Sequence, residues 1–204
     1  MKNTNHSLFD KYEMIKDLGT GSSGSVTLVR HISMDQERAL KKVPKASAFA
    51  ESALSEARLL KSLEHPSIPR IFDFEEDDAF YYIVEEYIDG ETLDSFLLHQ
   101  QLISPGLFFN ICEQLCNVFI YLHTQISTPI IYRDLKPEHI IVCHNKLKLI
   151  DFGVSAYVIQ DGNNFNHYGN IEFSAPECFT EDTITQAADI YSLGQLLQYI
   201  PVSY

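Results

Sequence analysis

Through most of the first 90 residues, short runs of alternating apolar and polar side chains are separated by turn residues. Tyr12–Leu18 reads as a strand, and so does Ser25–His31, where Val26 and Leu28 fall on one face. A Gly/Ser cluster, Gly19–Gly24, lies between them, and Glu37–Val43 reads as a third strand. Strands so closely spaced predict an antiparallel meander. The period then changes. In Ser52–Leu63, Leu54, Leu59, Leu60 and Leu63 share one face and charged residues fill the rest, which predicts a helix. His65-Pro66-Ser67-Ile68-Pro69 ends it, because a residue before proline is pushed out of the helical region. Arg70–Phe74 and Phe80–Glu86 read as two more strands around an acidic turn.

After Gly90 the pattern turns helical. Thr92–His99 is a short helix, and Ser104–Thr124 a long one that opens with Ser104 as N-cap and Pro105 in its first turn. Ile140–Cys143 and Leu147–Ile150 read as strands around His144-Asn145. Gln186–Tyr199 reads as a final apolar helix, stopped by Pro201. Strands come first and helices later, so the pattern predicts an α+β chain whose two lobes meet near Gly90.

Charge narrows the function. The 204 residues carry 28 acidic and 15 basic side chains, a formal charge of −13. That balance argues against nucleic acid or an anionic membrane as partner, since both call for Lys/Arg-rich surfaces. No stretch of 18 apolar residues is present, so no membrane segment is expected. The polar start, Met1 to Asp10, lacks an apolar signal core. The four cysteines form no Cys-x-x-Cys pair, which leads us to expect a reduced, cytoplasmic chain. Cys112 and Cys116 share a helix face with His123 two turns on. With no matching ligand cluster, they are expected to be core thiols.

Candidate chemistry begins at Gly19-Thr20-Gly21-Ser22-Ser23-Gly24. Glycines let a backbone approach phosphate closely and aim its N–H groups at the oxygens. A dinucleotide site would need a helix next, whereas Ser25–His31 reads as a strand; a phosphate-binding turn and a plain Gly-rich turn both remain open. Lys41 follows on the next strand, and Glu56 sits mid-helix. Tyr132-Arg133-Asp134-Leu135-Lys136-Pro137-Glu138-His139 is far more specific. Asp151-Phe152-Gly153 and Ala175-Pro176-Glu177 come after it. In this order and spacing the segments resemble the eukaryotic-type protein kinase family. His65–Pro69 and Glu86–Gly90 are similar to its bacterial serine/threonine branch.

The resemblance implies a two-lobed kinase-like fold: an N-terminal extension over residues 1–11, an antiparallel β N-lobe over 12–88 and a helical C-lobe over 89–204. The C-lobe is expected to be incomplete, since the family continues beyond the helix that carries Asp189. The implied activity is transfer of the γ-phosphoryl group of ATP to a protein hydroxyl, with Mg²⁺ or Mn²⁺. The resemblance assigns Gly19, Gly21 and Gly24 to the triphosphate, and Lys41, held by Glu56, to the α/β-phosphates. Val26, Ala39 and Ile141 would sandwich adenine, and Glu86 and Ile88 would offer it backbone hydrogen bonds. Asp134 would accept or orient the substrate proton, Lys136 would neutralise the γ-phosphate, and Asp151 would ligate metal. Lys42 competes with Lys41 by position. Asp189 resembles the helix aspartate that fixes the catalytic-loop backbone.

Four departures matter. His139 stands where the family has an asparagine metal ligand, and imidazole suits a borderline ion better than a hard one. Asn170 replaces a threonine expected to bond the catalytic Asp and Lys. Glu85 lies where an apolar residue is usual and should be partly exposed or paired with Lys41. Asn166 sits near the usual loop phosphorylation position, so activation by that route is not expected. With the C-lobe shortened, Leu193, Leu196, Leu197 and Ile200 should be partly uncovered, offering a surface for self-association or a completing chain. The rival readings are an ATP-binding pseudokinase acting as a switch or scaffold, and a small-molecule phosphotransferase.

Overall fold

The computed structural model describes residues 8–21, 24–157, 170–180 and 184–203. The chain divides into two compact units, Met1–Glu64 with Pro69–Tyr87, and His65–Ile68 with Ile88–Tyr204.

The first unit runs α1 (Leu8–Lys11), β1 (Tyr12–Gly21), β2 (Gly24–His31), β3 (Gln36–Pro44), α2 (Ala50–Lys61), β4 (Ile71–Glu76) and β5 (Phe80–Glu86). The five strands form one antiparallel sheet in the order β1-β2-β3-β5-β4. The period-2 alternation of β5 sorts its buried residues onto two faces. Tyr82 and Val84 pack with Leu8, Tyr12, Val29 and Leu40, while Ile83 packs with Val43, Ala53 and Ala57 of β3 and α2. Small alanines on α2 let the helix lie close to the sheet.

The other face belongs to α1, four residues too short to announce themselves by periodicity. Leu8 is 0% exposed, Phe9 meets Tyr82 edge-on at 5.3 Å, and Lys11 Nζ lies 2.7 Å from Asp73 Oδ2. The end of the expected N-terminal extension is therefore part of this core. Leu8→Ala is expected to lower unfolding free energy by about 2–5 kcal/mol, as truncation of a buried leucine does. Urea unfolding checks this, and a loss under about 0.5 kcal/mol would contradict it.

The second unit contains β6 (Glu91–Thr92), α3 (Leu93–Gln100), α4 (Pro105–Ile120), a π turn (Tyr121–Gln125), β7 (Ile130–Ile131), a 3-10 turn (Pro137–His139), β8 (Ile140–Cys143) and β9 (Lys146–Leu149). β10 (Ala156–Tyr157), α5 (Glu177–Thr180) and α6 (Ala187–Tyr199) follow. Ser104 caps α4 as expected, its Oγ accepting from Leu107 N at 3.3 Å. The helix widens at Ile120, whose carbonyl also accepts from Thr124 Oγ1 at 2.7 Å. Gln114 fastens the β8–β9 hairpin to α4: its Nε2 donates to Asn145 O and its Oε1 accepts from Leu147 N, both at 2.9 Å. Leu149 N donates to Ser67 O at 2.8 Å, which ties the His65–Ile68 stretch to this unit.

Two expectations need correction. Leu193, Leu196 and Ile200 are buried and Leu197 is half-buried, so the face of α6 expected to stand open is largely covered. After α6 the chain returns along Ile103, with Ile103 N donating to Pro201 O at 3.0 Å and Ser203 N to Ile103 O at 2.9 Å. The exposed apolar residues of the helix are instead Ile190, Tyr191 and Tyr199. Nor are the helix cysteines both core thiols: Cys112 is half-buried and Cys116 exposed. All four cysteines are free, and among the described residues no helix is long and apolar enough to cross a membrane.

Candidate active site

In the first unit the expected residues lie on the β1–β2 hairpin, β3, α2 and β5. Gly19 pairs with Val26 and Gly21 with Gly24 across the hairpin; Ser22 and Ser23 lie outside the described residues. Gly24 has φ +139°, and a Cβ there would sit 2.1 Å from the Lys42 carbonyl oxygen. Gly19 meets nothing within 4 Å. Gly24→Ala is therefore expected to cost about 1–3 kcal/mol or more, and Gly19→Ala far less. Paired thermal melts would check this, and equal Tm values for the two variants would contradict it.

Lys41 and Lys42 point to opposite faces of β3. Lys42 Nζ lies 4.0 Å above the Phe80 ring, while Lys41 Nζ lies 2.8 Å from Glu56 Oε2 on α2. Glu56 is 8% exposed, so it is not on a solvated helix face. Its partly buried pairing holds the ammonium on the α2 side of the sheet. Ala39 is buried and Val26 half-buried. Glu85, opposite Ala39 in the ladder, is half-buried. Glu86 N donates to Arg70 O at 2.9 Å.

In the second unit the Tyr132–His139 segment forms a compact polar cluster. Lys136 Nζ lies 2.9 Å from Asp134 Oδ2, and His139 Nδ1 lies 3.0 Å from the Asp134 carbonyl oxygen and 3.4 Å from Asp134 Oδ2. On its far side, His139 Nε2 lies 3.3 Å from Asp151 Oδ2. One imidazole thus bridges the two carboxylates expected to matter. Asp151 is half-exposed at φ +62°, with Gly153 N donating to its Oδ1 at 3.3 Å. Phe152 beside it is buried and packs edge-on against Tyr132 at 5.1 Å. Ile141 is half-buried and pairs with Thr92 and Lys148. Ile88 belongs to this unit and is half-buried.

Asp189 on α6 explains how the loop is held. It is 0% exposed. Its Oδ2 accepts from Tyr132 N and His123 Nε2, and its Oδ1 from Arg133 N, each at 2.8 Å. Arg133 has φ +75°, a strained conformation worth of order 1–3 kcal/mol, which the carboxylate offsets. Sequence reasoning weighed His123 only as a remote metal ligand and missed its bond to Asp189. An isolated histidine on a helix carries no signal of a partner 66 residues away. Burial pushes the Arg133 guanidinium down from its ordinary value, and its Nη1 donates to Val154 O at 3.3 Å. Asn170 Oδ1 accepts from Glu172 N at 2.9 Å, so its side chain caps a local turn. Asn166 lies outside the described residues.

These groups fit a divalent cation shared with phosphate. Such an ion takes one or two protein ligands and fills its shell with phosphate oxygens and water. Asp151 Oδ2 and His139 Nε2, 3.3 Å apart, are near the roughly 3 Å that separates adjacent ligands of an octahedral ion. Among the described residues no cluster of three His, Cys, Asp or Glu side chains makes an all-protein cage.

The chain is 31% identical over 196 residues to serine/threonine-protein kinase PrkC of Bacillus subtilis, covering 92% of this chain and 30% of that protein. It is 33% identical over 218 aligned positions to calcium-dependent protein kinase 4 of Plasmodium falciparum, covering 100% of this chain and 39% of that protein. Serine/threonine-protein kinase PknB of Mycobacterium tuberculosis is 28% identical over 203 residues, covering 93% of this chain and 32% of that protein. The chain thus spans between about three tenths and two fifths of the length of these three relatives. Residues 12–202 match the protein kinase domain family, and the chain belongs to that family.

Proposed function

We propose that the chain is an ATP-dependent protein serine/threonine kinase. The observation that carries this reading is the cluster of Asp134, Lys136 and His139, on a loop whose backbone is anchored by buried Asp189, with Asp151 against His139. Phosphoryl transfer asks little covalent chemistry of a protein and much positioning and charge neutralisation. Asp134 receives or orients the proton of the incoming hydroxyl, and Lys136 offsets charge on the transferring group. Lys41, steadied by Glu56, binds the α/β-phosphates beneath Gly19, Gly21 and Gly24. The family resemblance assigns Val26, Ala39 and Glu86 in the first unit, and Ile88 and Ile141 in the second, to adenine. Asp151 and His139 hold the divalent ion, Mg²⁺ or Mn²⁺, which would neutralise phosphate charge. The substrate is a protein hydroxyl, a reading supported by the similarity to protein kinases of three organisms. Free thiols and the use of ATP support the cytoplasm as its compartment.

The test supplies γ-labelled ATP, a generic basic protein and each metal in turn. Label on serine and threonine, lost in Asp151→Asn, is expected. Wild type that binds ATP but transfers no label with either ion would overturn the reading in favour of a switch or scaffold.

A further inference from the structure

The second unit holds a cleft of about 480 Å³, a volume within the range of small-molecule sites. Its walls are α4 with the π turn after it, the His65–Ser67 stretch and β9, all of one unit. None of the residues assigned above to ATP, metal or transfer lines it. The walls are tied to one another. Gln114 on α4 accepts from Leu147 N of β9 at 2.9 Å, Leu149 N of β9 donates to Ser67 O at 2.8 Å, and the His65 ring packs against Tyr121 at 5.1 Å. Lys146 and Lys148, two apart on β9, share a face and bring two ammonium groups to the cleft. No carboxylate is among its lining residues, although the chain as a whole carries a formal charge of −13. Ser67 N donates to His65 Nδ1 at 3.1 Å, which requires a lone pair on that nitrogen. The neutral ring therefore carries its hydrogen on Nε2. Burial, with Lys148 close by, holds this imidazole below its ordinary value, so the neutral form is the one present at pH 7.

We propose that this cleft binds a small phosphomonoester, of the chemical class of a sugar phosphate, with Lys146, Lys148 and His65 Nε2–H receiving the phosphate. Two ammonium groups and an imidazole donor, with no acidic neighbour in the lining, suit a dianion better than a single carboxylate. A concave, low-dielectric wall focuses their field on the bound anion. Asn117 and Gln125 add carboxamides that donate to and accept from hydroxyl groups, and Ile120 adds apolar surface for the carbon skeleton. The walls are already joined without a ligand, so binding needs little ordering of the backbone. The volume favours a small molecule over a phosphorylated protein segment.

The test is calorimetric titration of the full chain, at constant ionic strength, with a hexose 6-phosphate, the free hexose, inorganic phosphate and a phosphoserine peptide. Wild type is expected to bind the hexose phosphate tightest, inorganic phosphate more weakly and the free hexose not measurably. Lys146→Gln and Lys148→Gln should each raise the Kd for the hexose phosphate at least about tenfold, the scale of one charge-assisted hydrogen bond. The matching arginine variants should stay within about threefold of wild type, because they keep the charge. Lys16→Gln, on an exposed face of β1 in the other unit, should leave the Kd unchanged. A wild type that binds no hexose phosphate overturns the proposal, as does binding that both glutamine variants retain in full, which would place the anion elsewhere. Tighter binding of the phosphoserine peptide than of the hexose phosphate overturns the small-molecule assignment.

Discussion

Asp189→Ala is expected to lower the unfolding free energy by about 3–5 kcal/mol, the loss typical of breaking a buried charged network. The carboxylate is 0% exposed and accepts three bonds. Alanine would leave the Tyr132 and Arg133 N–H groups without their carboxylate acceptor inside the fold, at about 1–3 kcal/mol each. It would also remove what holds Arg133 at φ +75°. Because domains are stable by only about 5–15 kcal/mol, much of the total is at stake. Asp189→Asn should fall between. Its carbonyl oxygen can serve Tyr132 N and His123, but its amide would present a donor to Arg133 N–H. Urea unfolding of the three proteins gives the order wild type, asparagine, alanine. A loss under about 1 kcal/mol for alanine would mean that α6 does not anchor the loop.

The second large effect is kinetic. Asp134→Asn is expected to slow transfer by about 10²–10⁴-fold, the usual contribution of a positioned acid–base group. Asparagine fills the same volume but cannot receive the hydroxyl proton. Its amide would also turn a donor or a neutral oxygen toward Lys136 Nζ, which now lies 2.9 Å from Asp134 Oδ2. Folding should be little altered, so ATP-dependent stabilisation should persist. Initial rates with γ-labelled ATP give the answer, and a variant retaining more than a tenth of the wild-type rate would remove Asp134 from the proton's path.

How much of this was legible depended on the range of each signal. Alternation and helical period placed β1 to β5, α2, α3 and α4 within a few residues, because those patterns are local. The Ser104 cap is likewise a local bond and appears as read. Long-range features escaped. The burial of Leu8 depends on strands that follow it, and no four-residue segment carries a period. The burial of Leu193, Leu196 and Ile200 depends on tertiary packing, which helical period alone does not reveal. Cys116 lies one turn from Cys112 yet faces solvent, since helical spacing fixes which residues share a face but not what covers it. At the candidate site, motif order singled out Asp134, Lys136 and Asp151 as expectations. The bridge made by His139 and the bond from His123 to Asp189 needed the fold.

The most direct measurement pairs two readouts on wild type and Asp134→Asn: the ATP-dependent rise in Tm with divalent metal, and the initial rate of label transfer from γ-labelled ATP to a generic basic protein. Both proteins are expected to be stabilised by ATP, and wild type alone to transfer at a measurable rate. Stabilisation of both with no transfer by wild type, or equal transfer by the two, would contradict a phosphoryl-transfer role for the Asp134 loop.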